Sequence, residues 1–187
     1  EVEERIARDR QVKCPVTLII HTLPDVNSHL KAGAPFFCEI INQGILVYAD
    51  NEPGKDGRPK NIITKPFTLG SQRAFEIGFE NYQYWKRTSE QFLIVGRLGI
   101  QAGTDWRNNT AFQLNQAAEG TYRMFLLTAT QYAPASHNLG KLHSLARAVD
   151  PRIDEVWAPL QKPYDRHFEL LQRAYVEARY SPTYETH

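Results

Sequence analysis

The stretch AFQLNQAAEGTYRMFLLTATQYAPASHNLGKLHSLA, residues Ala111–Ala146, decides the fold of this chain. In its first part apolar residues recur at steps of three and four, which is the period of an α-helix. A turn that contains a proline follows, and Ser136–Leu139 then begins a second helix. The helical period by itself places Gln116, Glu119 and Arg123 on the solvated face of an amphipathic bundle helix.

The order of these residues is more specific than their period. It resembles the HEPN family, whose members carry a helix of the form QAAEKALKALLL, a short Pro-rich link, and then THDL at the start of the next helix. Here Gln116–Glu119 matches the first part and His137–Leu139 the second. Further on, Leu170–Pro182 resembles the last HEPN helix, which often ends in A-Y-x-x-x-R-Y-P, although Ser181 interrupts that ending. The resemblance covers roughly residues 67 to 184.

The resemblance implies a mainly α fold, an up-and-down bundle of about five helices. Sequence patterns predict five helical segments: Thr68–Arg97, Asp105–Thr130, Asn138–Ala148, a short one from Asp150 to Trp157, and Tyr164–Tyr180. The first is expected to end near Gly96 or Gly99. The second is expected to have Thr104 or Asp105 as its N-cap. The first helix carries an aromatic stripe that we expect to be mostly core; its members are Phe75, Phe79, Tyr82, Trp85, Phe92 and Val95.

The N-terminal residues predict a small α/β segment over residues 1–50, followed by a linker over 51–66 and the bundle over 67–187. Its predicted elements are a strand at Cys14–His21, helices at Asp25–Lys31 and Pro35–Gln43, Gly44 as an αL cap, and a strand at Ile45–Tyr48. This segment resembles the end of a small nucleotidyltransferase domain. A generic βα appendage is the alternative interpretation.

Nucleotidyltransferases of that kind use a Gly-Ser turn, a nearby Asp-x-Asp pair and a third carboxylate. Two-metal phosphoryl transfer needs those carboxylates to hold the cations. Gly70-Ser71 is followed by no acidic pair, and the strand that would carry the third carboxylate offers Thr17. We therefore expect no metal site and no nucleotidyl transfer by this chain. The chain begins without Met inside a helix-like stretch, Glu1–Gln11, which we interpret as the start of a fragment. The resemblance implies a nucleotidyltransferase domain as a partner, in cis or in trans.

Composition excludes several classes of protein. Hydrophobic residues make up 42% and charged residues 23% of the 187, which is ordinary for a globular domain. No apolar run approaches the roughly 20 residues of a membrane span. The two cysteines, Cys14 and Cys38, lack metal-site spacing, so a reduced, cytoplasmic protein is expected. A net charge of +1 gives no general attraction to nucleic acid.

Many HEPN proteins are RNases with an Arg-x(4–6)-His motif on a late helix. That spacing is absent from this sequence: Arg166 and His167 are adjacent, and seven residues separate Arg179 from the terminal His187. The sequence therefore leaves open whether this chain is an enzyme, and we expect no catalytic residues in it.

An anion pocket is the remaining candidate site, with His137, Arg179, Ser136, Lys141 and Tyr175 as nucleotide- or phosphate-binding residues. His137 stands at the start of a helix, where N–H groups and the dipole favour phosphate, and Ser136 would cap that turn. Arg179 would bind phosphate bidentately, Lys141 would extend a positive patch together with Arg147, and Tyr175 would stack on a base, as would Tyr82 or Tyr122. The alternatives are a cation at a helix end, solvated charge and core tyrosines.

The resemblance implies a nucleotide- or RNA-related binding module of a nucleotidyltransferase–HEPN protein, related to toxin–antitoxin systems. Because both catalytic signatures are absent, we expect this chain to be non-catalytic. It is expected to form a homodimer and to need no cofactor other than a nucleotide ligand such as ATP. The alternatives are a HEPN ribonuclease toxin with a degenerate site and a domain for dimerisation or interaction alone.

Overall fold

The computed structural model describes residues 5–6, 16, 18–49, 53, 61–156, 163–181 and 184. Contacts divide the chain into two compact units, Glu1–Leu69 and Gly70–His187. The described residues are mainly helical and contain no strand. The predicted helical class is therefore confirmed, whereas the α/β character of the N-terminal segment is not seen.

The first unit contains two short helices, α1 (Leu23–Ala32) and α2 (Pro35–Gln43). The Thr22 hydroxyl begins α1 by accepting a hydrogen bond from the N–H of Asp25, and Gly33 ends it in the left-handed region at φ 71°. A Cβ at Gly33 would lie 2.9 Å from the Phe67 carbonyl oxygen, so glycine suits this cap in two ways. The buried side chains of this unit include Leu30, Ala34 and Phe37.

Three sequence predictions for the first unit are wrong in its described residues. Gly44 is extended, at φ −69° and ψ 156°, and is no αL cap. Residues 45–48 form no strand, and their side chains are 76–91% exposed. A lone apolar run gains strand structure only when neighbouring strands take up its backbone hydrogen bonds. The strand predicted at 14–21 is absent at residues 16 and 18–21, and its other members, like most of the predicted helix 1–11, lie outside the described residues.

The end of the predicted linker is tied to α1. The Asn27 side chain donates a hydrogen bond to the Ile62 carbonyl (2.9 Å) and accepts one from the Thr64 N–H (2.7 Å). The Phe67 N–H donates to the Leu30 carbonyl at 2.9 Å. Residues 62–67 are therefore held against α1 by backbone and side-chain hydrogen bonds.

The second unit begins with a long helical hairpin. Helix α3 (Ser71–Ala102) leads through Gly103 and a 3-10 helix (Thr104–Trp106) into α4 (Arg107–Thr130). Neither the 3-10 helix nor α4 has a side-chain cap, so the predicted capping by Thr104 or Asp105 is wrong. After α4 come α5 (Leu139–Val149), a second 3-10 helix (Pro151–Val156), which replaces the predicted fourth segment, and α6 (Pro163–Tyr180).

Small residues line the seam between α3 and α4. A Cβ at Gly120 would lie 2.5 Å from the Ser89 hydroxyl oxygen, and one at Gly96 would lie 2.8 Å from Leu114. Gly99 packs equally closely against Thr110. Glycines at these positions let the two backbones approach, so Gly96 and Gly99 lie inside α3 and do not end it as predicted.

Most of the aromatic stripe of α3 is not core, although Trp85 and Phe92 are of intermediate burial. Phe75, Phe79 and Val95 are 47–66% exposed, and Tyr82 is 36% exposed. The buried positions of this helix are Gly78, Ser89, Gly96 and Gly99. The seam is too close for large side chains, which therefore lie beside it or on the outer surface.

The apolar core of the second unit lies between α4, α5 and α6. Its buried members are Tyr122, Leu126, Leu139, Leu142 and Ala146, and partly buried side chains such as Phe125, Leu145, Phe168 and Leu171 pack against them. This core fixes residues 131–138, the turn between α4 and α5, beside α6. Among the described residues, no helix is long and apolar enough to cross a membrane.

Candidate functional site

Glu119 is a buried carboxylate at the centre of the site. Its side chain, on α4, is only 7% exposed. The Arg123 Nε donates to it at 2.9 Å, and the amide of Gln116 donates at 3.3 Å. His137 Nδ1 lies 3.1 and 3.0 Å from its two oxygens. A buried carboxylate requires partners of this kind, because desolvation of an unpaired charge is costly. We call these four residues the Glu119 cluster.

The Glu119 cluster holds the turn before α5. Arg123 also donates to the Ser136 carbonyl at 2.9 Å, while its side chain is 13% exposed. One helical turn earlier, the fully buried Asn115 donates to the Leu171 carbonyl of α6 at 2.8 Å. Helix α4 therefore orients both the His137 turn and α6 through polar side chains.

His137 stacks on Tyr175. The two rings are 4.4 Å apart and nearly parallel, with an interplanar angle of 12°. The His137 side chain is 53% exposed, so the ring lies at the surface with its Nδ1 edge towards Glu119. In the described part of the chain, Nε2 has no hydrogen-bond partner.

Arg179 covers the same tyrosine. Its guanidinium carbon lies 4.4 Å from the centre of the Tyr175 ring, 5.0 Å from Phe112 and 4.9 Å from Tyr180. Its Nε donates to the Tyr175 carbonyl at 2.7 Å. Cation–π contacts and this bond fix the guanidinium at the exposed end of α6. We call the three residues the His137–Tyr175–Arg179 stack.

The sequence therefore named three residues that lie together in the structure. The Tyr175 ring is already in contact with His137 and Arg179, and Phe112 lies at 6.3 Å. These contacts make Tyr175 a support for the two side chains rather than an open platform for a base. Of the other tyrosines considered for stacking, Tyr122 is buried in the core, and Tyr82 lies on α3.

The start of α5 is already capped. Asn138 is the N-cap, with its side chain accepting from the N–H of Lys141 at 3.0 Å. The Ser136 hydroxyl accepts from the N–H of Asn138 at 3.2 Å, so Ser136 supports the turn but is not the predicted cap. Arg147, expected to extend a positive patch with Lys141, instead pairs with Asp154 at 2.9 Å.

Sequence reasoning missed the Glu119 cluster. The period of α4 assigned Gln116, Glu119 and Arg123 to a solvated face, yet Glu119 and Arg123 are largely buried. The signal was present in the spacing, because Glu119 and Arg123 are four residues apart and such pairs meet on a helix. The partner across the turn, His137, could not be found from local periodicity.

A separate apolar groove of about 500 Å³ lies between α3, α4 and α6. Its lining includes Leu93, Leu114 and Leu171, and it does not include the stack. The exposed side chains of His137 and Arg179 place the candidate site at the surface of the bundle.

Comparison with protein-family models gives one match. The model of the HEPN domain matches residues 82–187, which is more than half of the chain. The chain belongs to the HEPN family, and this membership supports a nucleotide- or RNA-related module at family level. No curated protein matches the sequence.

Proposed function

We propose that this chain is a nucleotide-binding HEPN module that acts without catalysis of its own. The observation that carries the proposal is the His137–Tyr175–Arg179 stack, in which an exposed guanidinium and an exposed imidazole both contact the Tyr175 ring. A guanidinium is a strong, directional donor to phosphate. Because Arg179 is held by Tyr175, little of its freedom is lost on binding, which favours affinity.

Substitution of Arg179 tests this proposal. Arg179→Ala is expected to weaken ATP binding by about ten- to hundredfold, since a hydrogen bond to a charged group contributes about 1.5–3 kcal/mol. Isothermal titration of ATP, repeated at higher salt, measures the loss and its screening. Arg173→Ala is the matched control on α6, because Arg173 pairs with Glu177 at 2.6 Å and lies outside the stack.

The competing interpretation makes Arg179 a structural residue. Its bond to the Tyr175 carbonyl and its three ring contacts would then stabilise the end of α6 alone. In that case Arg179→Ala lowers the melting temperature while the ATP affinity stays unchanged. That result, or no ATP binding by the wild type at millimolar concentration, would remove the proposed function.

We propose a homodimer as the assembly, on a different observation. Phe75, Phe79 and Tyr82 lie along one face of α3 as exposed rings that stack on each other at 5.9 and 6.4 Å. We call this the aromatic ladder. Exposed apolar faces of this kind favour association, and a standard interface buries on the order of 1,600 Å². A monomeric mass by light scattering at micromolar concentration would rule this assembly out.

A nucleotidyltransferase domain in cis or in trans is the partner that we propose for the first unit. The exposed run Ile45–Tyr48, apolar on both faces if extended, suits a strand of a covered sheet, but lacks a neighbour in the described residues. Copurification of the chain with such a domain, lost when Ile45 and Val47 are both changed to Asp, would support the partnership. Unchanged copurification would contradict the proposal that Ile45–Tyr48 binds the partner domain.

A further inference from the structure

The apolar groove between α3, α4 and α6 continues at both of its ends. Its central part has a volume of about 500 Å³ and meets a second pocket of about 360 Å³ at Leu114. At the other end, Ala118 and Thr121 also line a third pocket of about 180 Å³. The lining therefore follows α4 from Arg107 to Phe125, which is roughly 27 Å at the rise of an α-helix. We call this surface the α4 groove.

The α4 groove presents apolar surface along its length. In the central part, Leu93 and Leu171 form the walls, and Ala117 lies on the floor. The ends carry exposed apolar side chains, since Ile100 is 62% and Val156 is 68% exposed. A long exposed apolar surface of this kind marks an interaction site for a partner.

The central groove offers few hydrogen bonds to the backbone of an occupant. The Ser89 hydroxyl donates to the Trp85 carbonyl at 2.7 Å, and the Thr121 hydroxyl donates to the Ala117 carbonyl at 2.8 Å. The walls are helices, whose backbone groups bond to one another within each helix. A polypeptide that lies in the groove must therefore satisfy its own backbone groups, which an α-helix does and an extended segment does not.

Two charged side chains of opposite sign define the register of such a helix. Arg107 lines the groove at the hairpin end, Glu90 lines its central part, and both are exposed. Ser89, next to Glu90, faces Gly120 across the seam. The two charges are therefore separated by roughly 20 Å along α4, or about 13 residues of a helix. Complementary charges on a partner set its register and exclude other partners.

We propose that the α4 groove binds an amphipathic α-helix of a partner protein, with a carboxylate opposite Arg107 and a cation opposite Glu90. Its apolar stripe contacts Leu93, Leu114 and Ala118. Helices bind in grooves through apolar side chains at positions i, i+3, i+4 and i+7. The inference is independent of the nucleotide site, because the lining does not include the residues of the stack.

Fluorescence polarisation of stapled helical peptides tests this inference on the full chain. Three peptides of about 18 residues share a leucine stripe at positions i, i+3, i+4 and i+7. The first carries a glutamate and a lysine about 13 positions apart; the second has glutamine in place of that glutamate, and the third has glutamine in place of that lysine. Arg107→Gln is expected to weaken binding of the first peptide about two- to fivefold, the range of one exposed ion pair, and to leave the second unchanged. Glu90→Gln should likewise weaken the first peptide and leave the third unchanged.

Two further variants control for the place of binding. Leu93→Gln, in the lining of the groove, should weaken all three peptides about five- to thirtyfold. Arg87→Gln changes an exposed cation of α3 that does not line the groove, and it should leave every affinity unchanged. Circular dichroism checks that the helices are intact. Because Arg107 and Glu90 are exposed, their variants decide the test even if Leu93→Gln does not fold.

Three results would overturn the inference. The first is that none of the peptides binds. The second is binding that Leu93→Gln leaves unchanged, or binding in which neither Arg107 nor Glu90 is coupled to a charge of the peptide. The third is binding that disappears as the protein reaches a dimeric mass, which would show that a second copy of this chain covers the groove.

Discussion

Two faces of the second unit reverse the arrangement that hydrophobic periodicity predicts. Towards α5 and α6, helix α4 buries the charged side chains of the Glu119 cluster. On the outer face of α3, the aromatic ladder of Phe75, Phe79 and Tyr82 is exposed to solvent. The polar residues are the better buried of the two groups.

The difference follows from what each face packs against. Glu119 has three polar partners, which offset the loss of its hydration. On α3 the seam with α4 is filled by glycines and Ser89, so the helices approach closely and large rings are excluded. Burial therefore depends on available partners and space as well as on hydrophobicity.

The largest effect is expected at the buried carboxylate. Glu119→Ala leaves Arg123 buried without its carboxylate, and breaking a buried pair in this way costs about 3–5 kcal/mol. Urea unfolding followed by circular dichroism measures this loss. Glu177→Ala is the control, because Glu177 pairs with Arg173 at the surface of α6 and should leave the midpoint close to wild type. Equal midpoints for the two variants would show that the Glu119 cluster does not stabilise the fold.

The next effect concerns the close approach of α3 and α4. Gly120→Ala is expected to destabilise by about 1–3 kcal/mol, because the new Cβ would lie 2.5 Å from the Ser89 hydroxyl oxygen. In a Ser89→Ala background that oxygen is gone, and the same change should become neutral or stabilising by up to about 1 kcal/mol through helix propensity. A double-mutant cycle from thermal melts measures the change of sign.

The matched control for this cycle is Gly70→Ala. Gly70 precedes α3 with an ordinary negative φ, and a Cβ there would meet nothing within 4 Å. If close packing of α3 on α4 causes the destabilisation, Gly70→Ala should change the stability little. Gly120→Ala should then destabilise the protein with Ser89 present and not in the Ser89→Ala background. An effect at Gly120 that is the same with and without the Ser89 hydroxyl would contradict it.

Sequence patterns predicted the helices of the second unit and three residues of the candidate site. The apolar period is a local signal, so Arg107–Thr130 and Leu139–Val149 could be placed closely even though their predicted caps were wrong. The roles of Glu119 and the α3 glycines depend on side chains from other helices, which periodicity does not contain. The strand predicted at Ile45–Tyr48 failed for the same reason, because a strand exists only with its neighbours.

A third buried polar group gives a smaller effect. Tyr184 is 5% exposed and packs against Ala174 and Ala178, and its hydroxyl donates to the Leu170 carbonyl at 3.0 Å. Tyr184→Phe is expected to cost about 0.5–1.5 kcal/mol at pH 7, the net value of one hydrogen bond. Comparison of urea midpoints measures it.

The pH dependence of that difference has a definite sign. Burial raises the pKa of the Tyr184 hydroxyl above its usual value near 10. The extra free energy of unfolding that wild type has over Tyr184→Phe is therefore fully present below about pH 10. It is lost as the pH rises through the folded-state pKa of the tyrosine. The stability gap between wild type and Tyr184→Phe should narrow in alkaline buffer. A gap that widens there would contradict the buried, neutral phenol.

The smallest effect on folding is expected at the aromatic ladder, where it decides the assembly. Phe79 is 47% exposed and stacks on Phe75 and Tyr82, so Phe79→Gln removes little buried surface and should change the stability of the isolated unit by no more than about 0.5 kcal/mol. If the ladder is the interface of a homodimer, the same change lowers the mass measured by light scattering towards that of a monomer. Tyr84→Gln is the control on α3, because Tyr84 is 54% exposed and contacts Trp85 away from the ladder. A dimer that is lost in the Phe79 variant and kept in the Tyr84 variant assigns the interface to the aromatic ladder.

A dimer that both variants keep places the interface elsewhere, and the exposed rings of the ladder would then have to be covered by a different partner.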